Sequence, residues 1–162
     1  MLWFPKSEIA HGSVHDTRPF GIGTGNHRLF VLEVFLEDGR VDEDGMRRVL
    51  DCMIDQGVDG ICILANFSEQ FLISDAERET LTRLCLEHVA GRVPVIVTIS
   101  HYATPIVVER AQFAKDLGAS IVMMMPPYHG ALLKGTAEQT FEQFRAVGEV
   151  GIPIMLQDAP LS

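Results

Sequence analysis

Short, almost wholly apolar runs alternate with stretches of helical spacing along most of this chain. The first apolar run is LFVLEVF (29–35), closed by the turn residues Glu37-Asp38-Gly39. Residues 41–57 then place Met46, Val49, Leu50, Met53 and Ile54 at helical intervals, with Asp42 placed to cap the start and Gly57 the end. GICILA (60–65) is apolar throughout, and a helix is predicted over 74–90, opened by the capping box Ser74-Asp75-Ala76-Glu77. The same unit recurs as VPVIVTI (93–99) with a helix over 104–117 closed by Gly118. It recurs again as SIVMMM (120–125), Pro126-Pro127 and a helix over 137–149, and IPIML (152–156) is a fifth strand.

Strands that are apolar on both faces and alternate with amphipathic helices predict a parallel sheet covered by helices. About four βα units plus a fifth strand fit two architectures, an open doubly wound sheet or the first part of an eightfold barrel. Both place their chemistry at the carboxyl ends of the strands. Residues 1–28 carry neither period and include Pro5, Pro19 and the glycines of GIGTG, so they read as an irregular or disordered leader. GIGTG is not a dinucleotide fingerprint, since it neither follows a strand nor opens a helix. The expected organisation is therefore a leader over 1–28 and one α/β domain over 29–162.

Composition narrows the function classes. The chain has 162 residues, 47% of them hydrophobic and 22% charged, which suits a globular domain. Its 13 Lys and Arg against 22 Asp and Glu give a net charge of -9, which argues against nucleic acid as a partner. No apolar run reaches the roughly 18 residues of a membrane span, and MLWFPKSEIAHGS lacks the apolar core of a secretory signal, so a cytoplasmic location is expected. Cys52, Cys62 and Cys85 lack metal-ligand spacing and read as buried thiols of a reducing compartment. No metal site is expected.

The strand ends carry the candidate chemistry. After the second apolar run, Ala65-Asn66-Phe67-Ser68-Glu69-Gln70 is either a backbone amide site for a carboxylate or phosphate, or an ordinary turn in which Glu69 bonds backbone amides. His101 after the third is a proton-transfer candidate or a solvated loop histidine. Pro126-Pro127-Tyr128-His129-Gly130 after the fourth either brings Tyr128 and His129 to a substrate or forms a rigid turn. Asp158, in Gln157-Asp158-Ala159-Pro160, is a general base or a helix cap. No Ser-His-Asp set assembles from the spacing.

The order of these motifs resembles the dihydrodipicolinate synthase and N-acetylneuraminate lyase family. The resemblance is carried by Gly57-Val58-Asp59-Gly60, a short loop ending in Glu69, Ser74-Asp75-Ala76-Glu77-Arg78 and Gly91-Arg92-Val93-Pro94-Val95-Ile96. It continues through Gly118-Ala119, Pro126-Pro127-Tyr128, Ile152-Pro153-Ile154 and Asp158-Ala159-Pro160. It runs from about Phe35 to Pro160; residues 1–34 look unrelated to it, showing Leu32-Glu33-Val34-Phe35 where the family has Thr-Pro-Phe or similar.

The resemblance implies an α/β fold that is the N-terminal part of a (β/α)8 TIM barrel, a fold that typically needs about 250 residues. It also implies a small 2-keto acid held as a Schiff base on a lysine, no cofactor, and full-length relatives that are homo-oligomers, tetramers in particular. The synthases carry Gly-Thr-Thr-Gly-Glu where this chain has Ala65-Asn66-Phe67-Ser68-Glu69, a second tyrosine where it has His129, and a tyrosine where it has Gln157. Those departures resemble the sugar-acid branch, whose members dehydrate L-2-keto-3-deoxyarabonate to 2-oxoglutarate semialdehyde.

By that resemblance Asn66, Phe67, Ser68 and Glu69 bind the substrate carboxylate, and Gln157, His129 and Tyr128 act on the substrate hydroxyls or assist proton transfer. The Schiff-base lysine of the family lies at the end of the sixth strand. Lys6, Lys115 and Lys134, the three lysines here, do not match it. The alternatives are an inactive remnant, or an activity like that of the synthases or keto-acid aldolases.

Overall fold

The computed structural model describes residues 2–4, 33–65, 70, 72–129 and 133–157. Its elements in chain order are β1 (Leu2–Phe4), α1 (Glu43–Asp55), β2 (Ile61–Ile63), α2 (Asp75–Val89), β3 (Val95–Thr98) and α3 (Thr104–Asp116). They continue with β4 (Ile121–Met124), β5 (Tyr128–His129), β6 (Leu133–Lys134), α4 (Ala137–Gly148) and β7 (Ile154–Leu156). One sheet runs β1-β7-β4-β3-β2, parallel from β2 through β7 and antiparallel at β1, where Leu2 pairs with Leu156 and Phe4 with Ile154. β5 and β6 form a separate hairpin.

The apolar runs become strands because both of their faces are covered. Ile61, Ile63, Val95, Val97, Val122, Met124 and Ile154 join the core beneath the helices, with Met46, Leu50, Leu81, Val89 and Val107. The alternate residues Cys62, Ile96, Ile121, Met123 and Met155 form a second buried cluster on the opposite face. α1 and α2 start where their caps predict. The Asp42 carboxylate accepts from Gly45 N at 2.8 Å, and Ser74 and Glu77 satisfy each other's amides reciprocally. A second capping box, Thr136 with Gln139, opens α4.

Three expectations are corrected. Of the first apolar run, residues 29–32 lie outside the described residues, and the rest does not form a strand. Phe35 makes a single antiparallel bridge to Val41, because the Glu37-Asp38-Gly39 turn folds the chain back and spends its backbone groups locally: Leu36 N donates to Arg40 O, and Asp42 N to Val34 O. The leader, read as irregular, contributes β1, since β7 offers it an open edge. Cys52 is exposed while Cys62 and Cys85 are buried, because helical spacing turns position 52 away from the stripe that holds Met46 and Leu50.

Candidate active site

The parallel sheet brings four strand exits side by side: Leu64-Ala65 after β2, Ile99-Ser100-His101 after β3, Met125-Pro126-Pro127 after β4, and Gln157 after β7. Hydrogen bonds between neighbouring exits extend the ladder beyond the strands. Ile99 N donates to Met123 O at 2.9 Å, the buried Ser100 hydroxyl accepts from Met125 N at 3.0 Å, and Gln157 N donates to Met124 O at 3.0 Å. These bonds set Gln157 next to the strand that leads into Tyr128 and His129.

Leu64 is fully buried and holds a left-handed backbone conformation, φ 60°, at the point where β2 ends. A branched, non-glycine residue adopts that region only under strain, and such strain gathers at ligand-facing exits. Its amide donates to Glu33 Oε1 at 2.7 Å, and Glu33 Oε2 is buried without a hydrogen-bond partner among the described residues.

Helix side chains grip the next exits. Arg78, 4% exposed, donates from Nη1 to Thr98 O (3.0 Å) and from Nη2 to Gln70 O (2.7 Å). Arg110 donates to Ser100 O (2.8 Å) and to the Asp75 carboxylate (2.7 Å), which holds Asp75 below the usual carboxylate range. Gln143, buried on α4, donates to the carbonyls of His101 (3.2 Å) and Tyr102 (3.4 Å). The sequence reading missed all three. Their signal was a polar residue on an apolar helical stripe: Arg78 shares its face with Leu81, Cys85 and Val89, and Gln143 shares its face with Val147.

The residues singled out from sequence fall as follows. Asn66, Phe67, Ser68, Glu69 and Asp158 lie outside the described residues, although Ala65 and Gln70 on either side of the first four are buried. Tyr128 and His129 form β5, opposite Lys134 and Leu133 of β6, so the loop expected after the fourth strand is a hairpin. Gln157 stands at the exit of β7 with Oε1 buried and without a hydrogen-bond partner among the described residues.

His101 spends Nδ1 on Ala103 N (3.0 Å), at the start of α3, where no side chain of the N-cap residue serves. Burial, then the charge of Arg110, lowers its pKa from 6.5 and keeps the ring neutral. Lys115 donates to Val150 O at 2.6 Å, just before β7, at the end of the sheet away from the exits. Lys6 lies outside the described residues. A cavity of about 210 Å³ between α2 and α3, lined by Arg78, Val97, Ile106, Arg110 and Phe113 among others, shares no residue with the exits of β4 and β7. Among the described residues no cluster of His, Cys, Asp and Glu is placed to hold a metal ion, and no helix is long and apolar enough to cross a membrane.

Parallel strands β2, β3, β4 and β7, whose polar groups gather at their carboxyl ends beneath covering helices, define part of a barrel of the TIM type. The sequence pattern of the Dihydrodipicolinate synthetase family matches residues 26–162, and the chain belongs to that family. It is 56% identical over 133 residues to L-2-keto-3-deoxyarabonate dehydratase of Azospirillum brasilense, covering 82% of this chain and 43% of the relative. It is 32% identical over 126 residues to 4-hydroxy-tetrahydrodipicolinate synthase of Oleidesulfovibrio alaskensis, covering 77% of this chain and 42% of that enzyme.

Among solved structures, a Pseudomonas aeruginosa protein described as a dihydrodipicolinate synthetase superposes with a TM-score of 0.78 at 35% identity, covering 85% of this chain and 48% of the other. A prophage protein of the dihydrodipicolinic acid synthase family from E. coli K12, solved with pyruvate, gives 0.74 at 27% identity, covering 80% and 44%. The chain thus spans less than half the length of these relatives.

Proposed function

We propose that this chain carries the substrate-recognising half of a lyase that dehydrates a 2-keto-3-deoxy sugar acid, L-2-keto-3-deoxyarabonate in particular. The 56% identity to a dehydratase of that acid supports the substrate class. The observation that carries the reading is Gln157, with an Oε1 that is buried and without a partner among the described residues, at the exit of β7 beside that of β4. An amide at this point accepts a hydrogen bond from a substrate hydroxyl but does not titrate, which suits recognition of a polyhydroxy acid better than a proton relay.

In the proposed reaction a lysine amine condenses with the C2 carbonyl and releases water. The imine withdraws electrons, C3 loses a proton, and the C4 hydroxyl leaves as water; tautomerisation and hydrolysis then release 2-oxoglutarate semialdehyde and restore the amine. Asn66, Phe67, Ser68 and Glu69 hold the carboxylate in this scheme, while Gln157, Tyr128 and His129 serve the hydroxyl end. The amine comes from a part of the barrel outside these 162 residues.

Borohydride trapping tests the scheme. The chain alone, incubated with the keto-deoxy acid, is expected to gain no covalent mass. Mixed with a carboxyl-terminal piece of the Azospirillum brasilense dehydratase, it is expected to yield an adduct on that piece and to release semialdehyde. Gln157→Ala in the mixture is expected to lower kcat/KM about tenfold, the effect of one lost hydrogen bond. Condensation of pyruvate in place of dehydration selects a synthase-like activity. The position of Lys115, bound to Val150 O away from the exits, favours a second reading, an acid-binding remnant without chemistry; binding without turnover in the mixture supports it.

A further inference from the structure

Gln143 lies in the second turn of α4, on the face it shares with Val147, and is 2% exposed. Its Nε2 donates to two consecutive carbonyls of the loop that leaves β3, His101 O at 3.2 Å and Tyr102 O at 3.4 Å. Its Oε1 is buried without a hydrogen-bond partner among the described residues. A methionine of the same length avoids that orphaned acceptor, so what an amide adds here is the hold of its N–H groups on the loop.

That hold closes a circuit of contacts around two strand exits. The Ser100 hydroxyl accepts from Met125 N at 3.0 Å and joins the exits of β3 and β4 directly. Just before α4, Gly135 lies against the β4 exit, where a Cβ placed on it would stand 3.6 Å from Pro127 Cγ. The chain entering α4 therefore rests on the exit of β4, and about two turns later α4 grips the exit of β3 through Gln143.

The residue held in this circuit is His101. Gln143 takes its carbonyl, Arg110 takes the carbonyl of Ser100 before it, and its Nδ1 accepts from Ala103 N at 3.0 Å. An imidazolium carries protons on both nitrogens and cannot accept that bond, so the bonded ring is neutral with its proton on Nε2. Burial first, then the charge of Arg110 on α3, lowers the His101 pKa, with Arg78 adding to this and Asp75 opposing it from α2. Nε2 makes no hydrogen bond to a described residue, so its N–H is what the ring offers a ligand.

We infer that Gln143 is a positioning residue acting through His101: by fixing the loop that leaves β3 against α4, it holds the imidazole as a neutral, singly oriented hydrogen-bond donor at the strand exits. Service of that donor to a hydroxyl or carboxylate oxygen of the substrate rests on the function proposed above; the positioning of His101 does not. A donor oriented in advance avoids an ordering cost at the moment of binding.

The test compares the full chain with Gln143→Met and Gln143→Asn by amide hydrogen exchange and by NMR titration of the His101 ring. In Gln143→Met, exchange at residues 101–104 is expected to rise about tenfold, the scale of one hydrogen bond, with β4 and the last turn of α4 unchanged. The His101 pKa is expected to rise toward 6.5 as the ring gains water, and the ring nitrogen shifts are expected to show a mixture of tautomers. Gln143→Asn keeps an amide one methylene shorter and is expected to show smaller changes. An unchanged His101 pKa and tautomer in Gln143→Met overturns the inference. A rise in exchange of equal size throughout α3 and α4 also overturns it, since Gln143 is then general packing. Should Gln143→Met not fold, Gln143→Asn decides by the same criteria. In the mixture with the carboxyl-terminal piece, Gln143→Met is expected to lower kcat/KM about tenfold. A mixture that shows no turnover with the unmodified chain counts against the dehydratase reading alone, and the exchange and titration data still decide Gln143.

Discussion

Individual polar residues in this chain serve the backbone before they serve any ligand. His101 is the clearest case, because a loop histidine at a strand exit reads as a proton-transfer group, yet its Nδ1 is committed to the start of α3. Its lowered pKa has a consequence for stability. The unfolded chain takes up the proton first as the pH falls through 6.5, so the stability contributed by the neutral ring is complete above that value and is lost below it. Asp51, held down by Arg92 and His88, and Asp75, held down by Arg110, contribute in a lower window, losing their share as the pH falls through 3.8 and below. The urea midpoint is therefore expected to fall between about pH 7 and about pH 5, and His101→Asn is expected to flatten that slope. A slope unchanged in the variant assigns the effect to other groups. Arg78 and Gln143 were visible in the sequence only as polar letters on an apolar stripe; which carbonyls they hold is set by residues 8 to 42 positions away.

At the scale of elements, the helices were legible nearly to their ends, because capping is decided within four residues. The two capping boxes satisfy amides that would otherwise be orphaned, so Ser74→Ala and Thr136→Ala are each expected to lower the unfolding free energy by about 1 kcal/mol. The opposite end of α2 gives the opposite sign. Ala90 caps the helix in the left-handed region, φ 47°, and is exposed, so Ala90→Gly relieves its Cβ at no loss of packing. A gain of about 1 kcal/mol is expected, read from the same urea curves. Strands were less legible. The run 29–35 has the composition of a buried strand, but in its described part the turn at Glu37-Asp38-Gly39 competes successfully for the same backbone groups. β5 and β6 are two residues each, too short for an alternating pattern to register.

For the molecule as a whole, the sheet edges carry the consequences. β2 has no partner on its outer side among the described residues, while the outer side of β7 is taken by β1, antiparallel, where a barrel would continue in parallel. An occupied edge cannot template pairing with another chain. Removing residues 1–5 is therefore expected to raise self-association, measured by sedimentation velocity; an unchanged monomer–oligomer distribution shows that β1 does not guard that edge. The same geometry bears on the proposed complementation, since a partner carrying the remaining strands must displace β1 to pair with β7.

From its sequence alone the chain declared an α/β repeat, its caps, an acidic surface and a likeness to keto-acid lyases, all of which depend on neighbours within a few positions or on motif order. The tertiary structure decided that Gln157 stands beside the exit of β4, that Arg78 joins two exits, that His101 is spent on a helix start and that Lys115 lies away from the exits. Those facts depend on sheet order and on which carbonyl faces which helix. Residues some 20 to 40 positions apart become neighbours only when the strands pair, and no local pattern records that pairing.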